Sequence, residues 1–289
     1  MNVCGFTIVR NAVKYNYPVV ESIRSILPIV DRFFVGVGDS DDGTRQLIES
    51  IPGDKVEIFD STWDDNLRKG GVVLAVETNK VMDRIPPGYD WMFYLQADEV
   101  VHEQQHDLIR QAMTRYRDAK DVEGLLFQYL HFFGTYDFIG DSRRWYRHEI
   151  RIIKQDPAIR SFRDAQGFRK NSRKLKVKPV DAFIYHYGWV KDPRVMAEKM
   201  NEFRKLYHPD EWVKKNYIVP ELFDYSMIDS AQIFHGTHPE VMQERISEAQ
   251  WEASVDPRKK KFGLKDRLLY WIEKKTGKRL FEYRNYKLI

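Results

Sequence analysis

With 289 residues, 43% of them hydrophobic and 31% charged, the chain is long enough to bury a sizeable core and carries no low-complexity tract. A net charge of +4, with both signs interspersed, is too mild for a nucleic-acid surface, so nucleic acid is not an expected partner. The single cysteine, Cys4, rules out an intramolecular disulfide and a cysteine-based zinc site. No stretch approaches the ~20 apolar residues of a spanning helix, so a cytoplasmic protein is the expectation.

The first hundred residues alternate strand and helix. Residues 2–9 read as a short buried strand. After Arg10-Asn11 a helix opens near Pro18, with Val19, Val20, Ile23, Ile26 and Leu27 on its apolar face. A second strand at 33–37 leads into the polar loop Gly38-Asp39-Ser40-Asp41-Asp42-Gly43-Thr44 and a helix that ends near Pro52-Gly53. A third strand at 56–59 precedes a helix over 72–84, closed by Pro86-Pro87-Gly88. The fourth strand, 91–95, breaks off into Gln96-Ala97-Asp98-Glu99. This succession predicts an α/β fold with a mostly parallel sheet flanked by helices. Ligands of such sheets bind beyond the carboxyl ends of the strands. Three polar clusters fall there: Arg10-Asn11, Asp39 to Asp42, and Gln96 to Glu99.

Further along, the pattern predicts a helix over 104–116, an aromatic strand over 124–133, a loop over 134–142 and a strand over 144–154. A basic, irregular stretch at 160–178 precedes a strand over 180–187 that ends in His186-Tyr187-Gly188-Trp189. Helices are expected over 195–207 and 239–253. The tail holds Arg258-Lys259-Lys260-Lys261 and an amphipathic helix over 264–275. The expected organisation is a catalytic domain over 1–238 and a helical, basic extension over 239–289.

Three segments carry a resemblance: Phe6-Thr7-Ile8-Val9-Arg10-Asn11, Ser40-Asp41-Asp42-Gly43-Thr44, and Ala97-Asp98-Glu99 after an apolar strand. In order and spacing they resemble the family 2 glycosyltransferases of GT-A fold, over roughly residues 2–105 and more loosely to His186. The resemblance implies a GT-A (Rossmann-like), mostly parallel mixed sheet flanked by helices, and the helical C-terminal extension lies outside it. It also implies a UDP- or GDP-sugar donor, a Mn²⁺ or Mg²⁺ ion, inversion at the anomeric carbon, and a glycan, lipid-linked or small-molecule acceptor.

The chemistry accounts for the residue types. A departing nucleoside diphosphate needs its charge stabilised, and a divalent cation held by oxygen ligands does this as a Lewis acid. Asp98 is the expected ligand, with Glu99 a second ligand or an organiser of the loop. Gln96 stands where the family has the first Asp of Asp-x-Asp, and its amide brings no charge. Where the family carries Asp before its Gly-Ser, this chain has Val37 and Gly38, so Asp39 takes the base or ribose contact from a shifted position. Arg10, Asn11, Asp39, Asp42 and Gln96 are thus the expected donor-binding residues. His186 either completes the metal shell, as the resemblance implies, or is a hydrogen-bonded histidine in an aromatic cluster. His131, His148 and His235 are read as structural.

An inverting transferase needs a base for the acceptor hydroxyl. Asp164, in Arg163-Asp164-Ala165-Gln166-Gly167, is the expected base, with Glu149 and Asp141 competing. Arg143-Arg144-Trp145 is similar to the Gln/Arg-x-x-Arg-Trp motif of processive synthases, but Asp141 holds the required first position, and polymer synthesis is not expected. The basic run 169–178 is either a lid over the diphosphate or a solvated loop. The tail helix either packs on the domain or touches an anionic membrane face, where lipid-linked acceptors reside. Two other readings stand beside the transferase. A nucleotidyltransferase would need a Gly-rich loop after the first strand, which Val9-Arg10-Asn11-Ala12-Val13 lacks. A non-catalytic carbohydrate-binding or scaffold protein is kept open by Gln96.

Overall fold

A computed structural model describes residues 1–67 and 70–289. Strand β1 (Val3–Val9) is buried at all seven positions, as expected of a parallel strand covered on both faces. Helix α1 (Val19–Ile26) returns the chain to β2 (Arg32–Gly38), and α2 (Thr44–Glu49) returns it to β3 (Val56–Ser61). Helix α3 (Val72–Arg84) then leads to β4 (Trp91–Tyr94), which pairs parallel to β1 on the side away from β2. Four parallel strands in the order β4-β1-β2-β3 result, and their carboxyl ends point one way.

The second half adds antiparallel pairing. A short β5 (Glu99–Val101) and α4 (His106–Tyr116) precede β6 (Gly124–Gly140) and β7 (His148–Lys154). Strands β8 (Ile159–Phe162), β9 (Gly167–Lys170) and β10 (Arg173–Lys174) form a separate three-stranded antiparallel sheet. Strand β11 (Lys176–Val190) rejoins the main sheet, followed by α5 (Pro193–Lys205), α6 (Asp210–Asn216), β12 (Ala231–Ile233), α7 (Gln243–Ser247), α8 (Leu264–Thr276) and β13 (Lys287–Leu288). The main sheet runs β13-β11-β6-β7-β4-β1-β2-β3, with β5 on β11 and β12 on β6. The fold is α/β, with a mixed, largely parallel sheet between helices. One apolar layer lies under α1 and α4 around Ile23, Phe33 and Phe93, and the other lies under α3 and β8–β9 around Phe6, Val81 and Phe168.

Three expectations were overturned. The aromatic strand does not stop at 133: Gly134, at φ 76°, leaves no room for a side chain against Ala253 and Val255, and the strand runs on to Gly140. Its glycine marks a close approach rather than a loop. The stretch 160–178 is not irregular, because Ile159 and Phe168 are buried while Arg173 and Lys170 lie against Glu123. The helix expected over 239–253 ends at Ser247. Beyond it Trp251 donates its indole N–H to the Gly134 carbonyl at 2.9 Å, and Ala253 and Val255 pack against the cluster of Phe133 and Tyr225.

The tail returns to the sheet. Arg143 and Arg279 reach Glu273, Arg147 reaches Glu282, and β13 pairs with the start of β11. Helix α8 keeps Leu264, Leu268 and Trp271 exposed, so only part of its apolar set packs. Among the described residues no helix is long and apolar enough to cross a membrane.

Candidate active site

Strand β11 assembles the centre because it lies between two partners. Against β5, His186 is opposite Glu99; against β6, His186 is opposite His131. The Tyr187 N–H donates to the Asp98 carbonyl at 2.8 Å, which holds the end of the 95–98 loop. The β11–β6 register then slips between His186 and Trp189, a bulge of the kind that re-aims side chains near sites. Gly188 lies in that bulge. A Cβ there would stand 2.6 Å from Asp98 Oδ2 and 2.8 Å from His186 Nε2, so only glycine fits.

The result is a buried polar constellation. His186 Nε2 faces Asp98 Oδ1 at 3.7 Å, and Lys199 Nζ from α5 stands 3.5 Å from Asp98 Oδ2 while donating to the Gly188 carbonyl at 2.8 Å. The Tyr17 ring lies under two ammonium groups, Lys199 at 4.7 Å and Lys191 at 4.6 Å. Burial works against the Asp98 charge, but His186, Lys199 and Lys191 outweigh it and hold the carboxyl below its ordinary pKa. Burial lowers the pKa of His186 despite Asp98 and Glu99, and lowers that of Lys199 despite Asp98. Lys191, donating to the Asn16 carbonyl at 2.9 Å, is pushed well below the usual lysine range by burial and by Lys199. His131 Nδ1 meets His186 Nδ1 at 3.0 Å, and its Nε2 meets the Tyr146 carbonyl at 2.8 Å.

Glu99 points the other way. Its two oxygens accept from Arg151 Nε and Nη2, both at 2.7 Å, from the Tyr129 hydroxyl at 2.7 Å and from the Gln96 N–H at 3.1 Å. Both members of the ion pair are fully buried, and the guanidinium lies between the Tyr94 and Tyr129 rings. Glu99 therefore organises the loop from behind. Among the described residues no three His, Cys, Asp or Glu side chains converge as a metal-holding group.

A cleft of about 370 Å³ opens onto Asp98 from the strand ends, and Arg10, Asn11 and Gln96 line it as the sequence suggests. Tyr15, Tyr17, Trp63, Lys199 and Phe203 line it too, and sequence reasoning missed them. Asp39 stands behind the rim, pairing with Arg10 at 2.9 Å and accepting from the Trp63 N–H at 3.1 Å. Asp42 is consumed in tying its own loop to the segment after β1. It accepts from the Lys14 N–H at 2.7 Å and the Thr44 N–H at 3.0 Å; burial opposes its charge, and these bonds lower its pKa all the same.

A second cleft, of about 950 Å³, lies across the β8–β9 turn. Asp164 lines it and accepts from the Tyr207 hydroxyl at 3.2 Å, while the next residue, Ala165, lines the first cleft. Arg163 and Ala165 both hold left-handed backbone at φ 58°, a strain of the sort that accompanies functional turns. His148, Glu149 and Ser161 line the second cleft, each with one buried polar atom that has no partner among the described residues. Burial lifts the Glu149 pKa to about 7, against the opposing pull of Arg151. Asp141 lies elsewhere, bound by Ser230, by Tyr270 at 2.6 Å and by two lysines.

No family model and no curated protein matches the chain. Solved structures with a similar arrangement include TarS of S. aureus, at 12% identity and TM-score 0.38, over 70% of this chain and 39% of that one. Glucosyl-3-phosphoglycerate synthase from Mycobacterium tuberculosis, in complex with Mn²⁺, uridine diphosphate and phosphoglyceric acid, aligns at 11% identity and TM-score 0.31, over 45% of this chain and 43% of that one. A 4-diphosphocytidyl-2C-methyl-D-erythritol synthase from Anaerococcus prevotii aligns at 10% identity and TM-score 0.38, over 66% and 89%. The chain thus spans well under half of the full TarS chain. These likenesses concern the fold and say nothing of the reaction.

Proposed function

We propose that the protein is a nucleotide-sugar-dependent glycosyltransferase whose donor lies in the first cleft and whose acceptor lies in the second. The observation that carries this reading is the Asp98–His186–Lys199 constellation at the strand ends: Asp98 and Lys199 line a cleft of nucleotide size, and His186 stands beside Asp98.

The donor set fits a divalent cation. Asp98 Oδ1 and His186 Nε2 stand 3.7 Å apart, beyond hydrogen-bond reach, so neither satisfies the other. The carboxylate oxygen suits either Mn²⁺ or Mg²⁺, and the imidazole nitrogen favours Mn²⁺ of the two, with phosphate oxygens and water completing the shell. Binding should therefore depend on the nucleotide. When bound, such an ion would neutralise charge on the departing diphosphate as a Lewis acid. Glu99 is assigned to orienting the loop, because Arg151 and Tyr129 already take its oxygens.

Lys199 supplies a fixed positive charge beside Asp98, and Arg10, held by Asp39, supplies another at the far rim. Asn11 is assigned to the ribose and base end and Gln96 to a neutral contact with the donor, while Asp39, behind the rim, acts by holding Arg10. Asp164 takes the proton of the acceptor hydroxyl as that oxygen bonds to the anomeric carbon and the bond to the diphosphate breaks. Attack from the side opposite the diphosphate inverts the anomeric centre. The unpartnered atoms of His148, Glu149 and Ser161 suit a hydroxyl-rich acceptor such as a glycan. The exposed Leu264, Leu268 and Trp271 of α8, with the exposed Arg258 and Lys259 ahead of it, suit an anionic membrane face carrying lipid-linked acceptors.

Titration with UDP, GDP and their sugars, with Mn²⁺ and with chelator, tests this reading. Binding of a nucleoside diphosphate, strengthened by Mn²⁺, is the expected result. Binding of nucleoside triphosphates alone would favour a nucleotidyltransferase, and binding of none would refute the assignment.

A further inference from the structure

We propose that His131 is a positioning residue: by accepting the Nδ1 proton of His186, it leaves the His186 Nε2 lone pair facing Asp98 Oδ1 as the second protein ligand of a divalent cation. The proposal rests on the reading of the first cleft as a diphosphate site.

Two hydrogen bonds determine the proton positions. A carbonyl oxygen only accepts, so the 2.8 Å contact between His131 Nε2 and the Tyr146 carbonyl places a proton on that nitrogen. His131 packs among Tyr129, Trp145, Tyr146 and His186, with no carboxylate hydrogen-bonded to it among the described residues, so it is the neutral imidazole. Its Nδ1 is then bare. At 3.0 Å from His186 Nδ1 it can only accept, and the proton between them belongs to His186.

His186 in turn has one proton, on Nδ1, and an open lone pair on Nε2. Were it an imidazolium, Nε2–H would close on Asp98 to an ordinary charge-assisted bond of about 2.7–2.9 Å, whereas the separation is 3.7 Å. Two electron-rich atoms thus face one another across a gap that Gly188 keeps clear of side chain. Lys199 is held on the other carboxylate oxygen, which leaves Oδ1 for the ion. Outer-shell partners that fix the tautomer of a ligating histidine typically account for about 10–100-fold in metal affinity.

The test compares the full chain with His131→Leu, which removes the acceptor, and with His131→Asn, whose amide oxygen can replace it. Ring ¹⁵N spectra of metal-free protein report the tautomer of His186. Mn²⁺ paramagnetic resonance in the presence of UDP or GDP reports affinity, and nucleotide binding in chelator reports the rest of the cleft. Expected are an Nδ1–H tautomer in wild type and the Asn variant, and its loss in the Leu variant. Mn²⁺ affinity should fall about 10–100-fold in the Leu variant alone, with nucleotide binding in chelator unchanged. An Nε2–H tautomer or an imidazolium in the wild type would overturn the proposal even if the Leu variant failed to fold. So would unaltered Mn²⁺ affinity in the Leu variant. If wild type shows the expected tautomer but retains no Mn²⁺ with either nucleotide, the donor-site reading has failed rather than the tautomer relay, and the ligand role falls with it.

Discussion

Gly188 stands where any side chain would strike both Asp98 Oδ2, at 2.6 Å, and His186 Nε2, at 2.8 Å. The bulge after His186 thus does for the site what a longer loop could not: it brings backbone, carboxylate and imidazole together with no intervening atom. Gly188→Ala should therefore separate Asp98 from His186. Overpacking of this kind costs about 1–3 kcal/mol, so the variant should still fold. Its Mn²⁺-dependent nucleotide binding should be lost, as calorimetry alongside a melting curve would show.

Arg151→Met leaves the Glu99 carboxylate buried without its charge partner. Breaking a buried pair in this way costs about 3–5 kcal/mol. Urea denaturation should show a loss of that order. A change under 1 kcal/mol would mean that Glu99 finds solvent, contrary to the geometry.

The fold of the first hundred residues was legible because parallel strands buried on both faces read as apolar runs broken by polar turns, as β1, β2 and β4 do. Asp98 was legible as a carboxylate at a strand end. His131 was not, because only the parallel register of β6 on β11 brings it to His186, and sequence spacing carries no trace of that pairing. Lys199 was missed for a similar reason. It sits in a charged helix whose inward turn is decided by Tyr17 and Asp98, far away in the chain. The sheet β8-β9-β10 was hidden by its basic residues: Arg160, Arg173 and Lys174 are exposed, and Arg169 is buried with its guanidinium on the Asn285 carbonyl, a placement the sequence does not signal.

Glu149 gives a pH dependence of stability. Its folded pKa of about 7 lies above the ordinary 4.5, so the folded state holds a proton that the unfolded chain releases. The stabilisation from this group is complete below about pH 4.5 and is lost as pH rises through about 7. The span corresponds to at most roughly 3–4 kcal/mol. Glu149→Gln should flatten that part of the stability profile and leave the variant more stable than wild type at pH 8. Parallel curves would contradict the assignment.

Asp164→Asn removes the proposed base while keeping the turn. Donor affinity should be unchanged and kcat should fall about 10²–10⁴-fold. Tyr207→Phe, which removes the hydroxyl donating to Asp164, should have a much smaller effect.

The central claim is that the strand end at Asp98 binds a nucleoside diphosphate with a divalent ion. Its most direct test is calorimetric titration of UDP and GDP, with Mn²⁺, into wild type and Asp98→Asn. The account predicts saturable binding of at least one nucleotide by the wild type and a loss of at least about tenfold in the variant. Equal affinity in both proteins, or no binding in either, would contradict it.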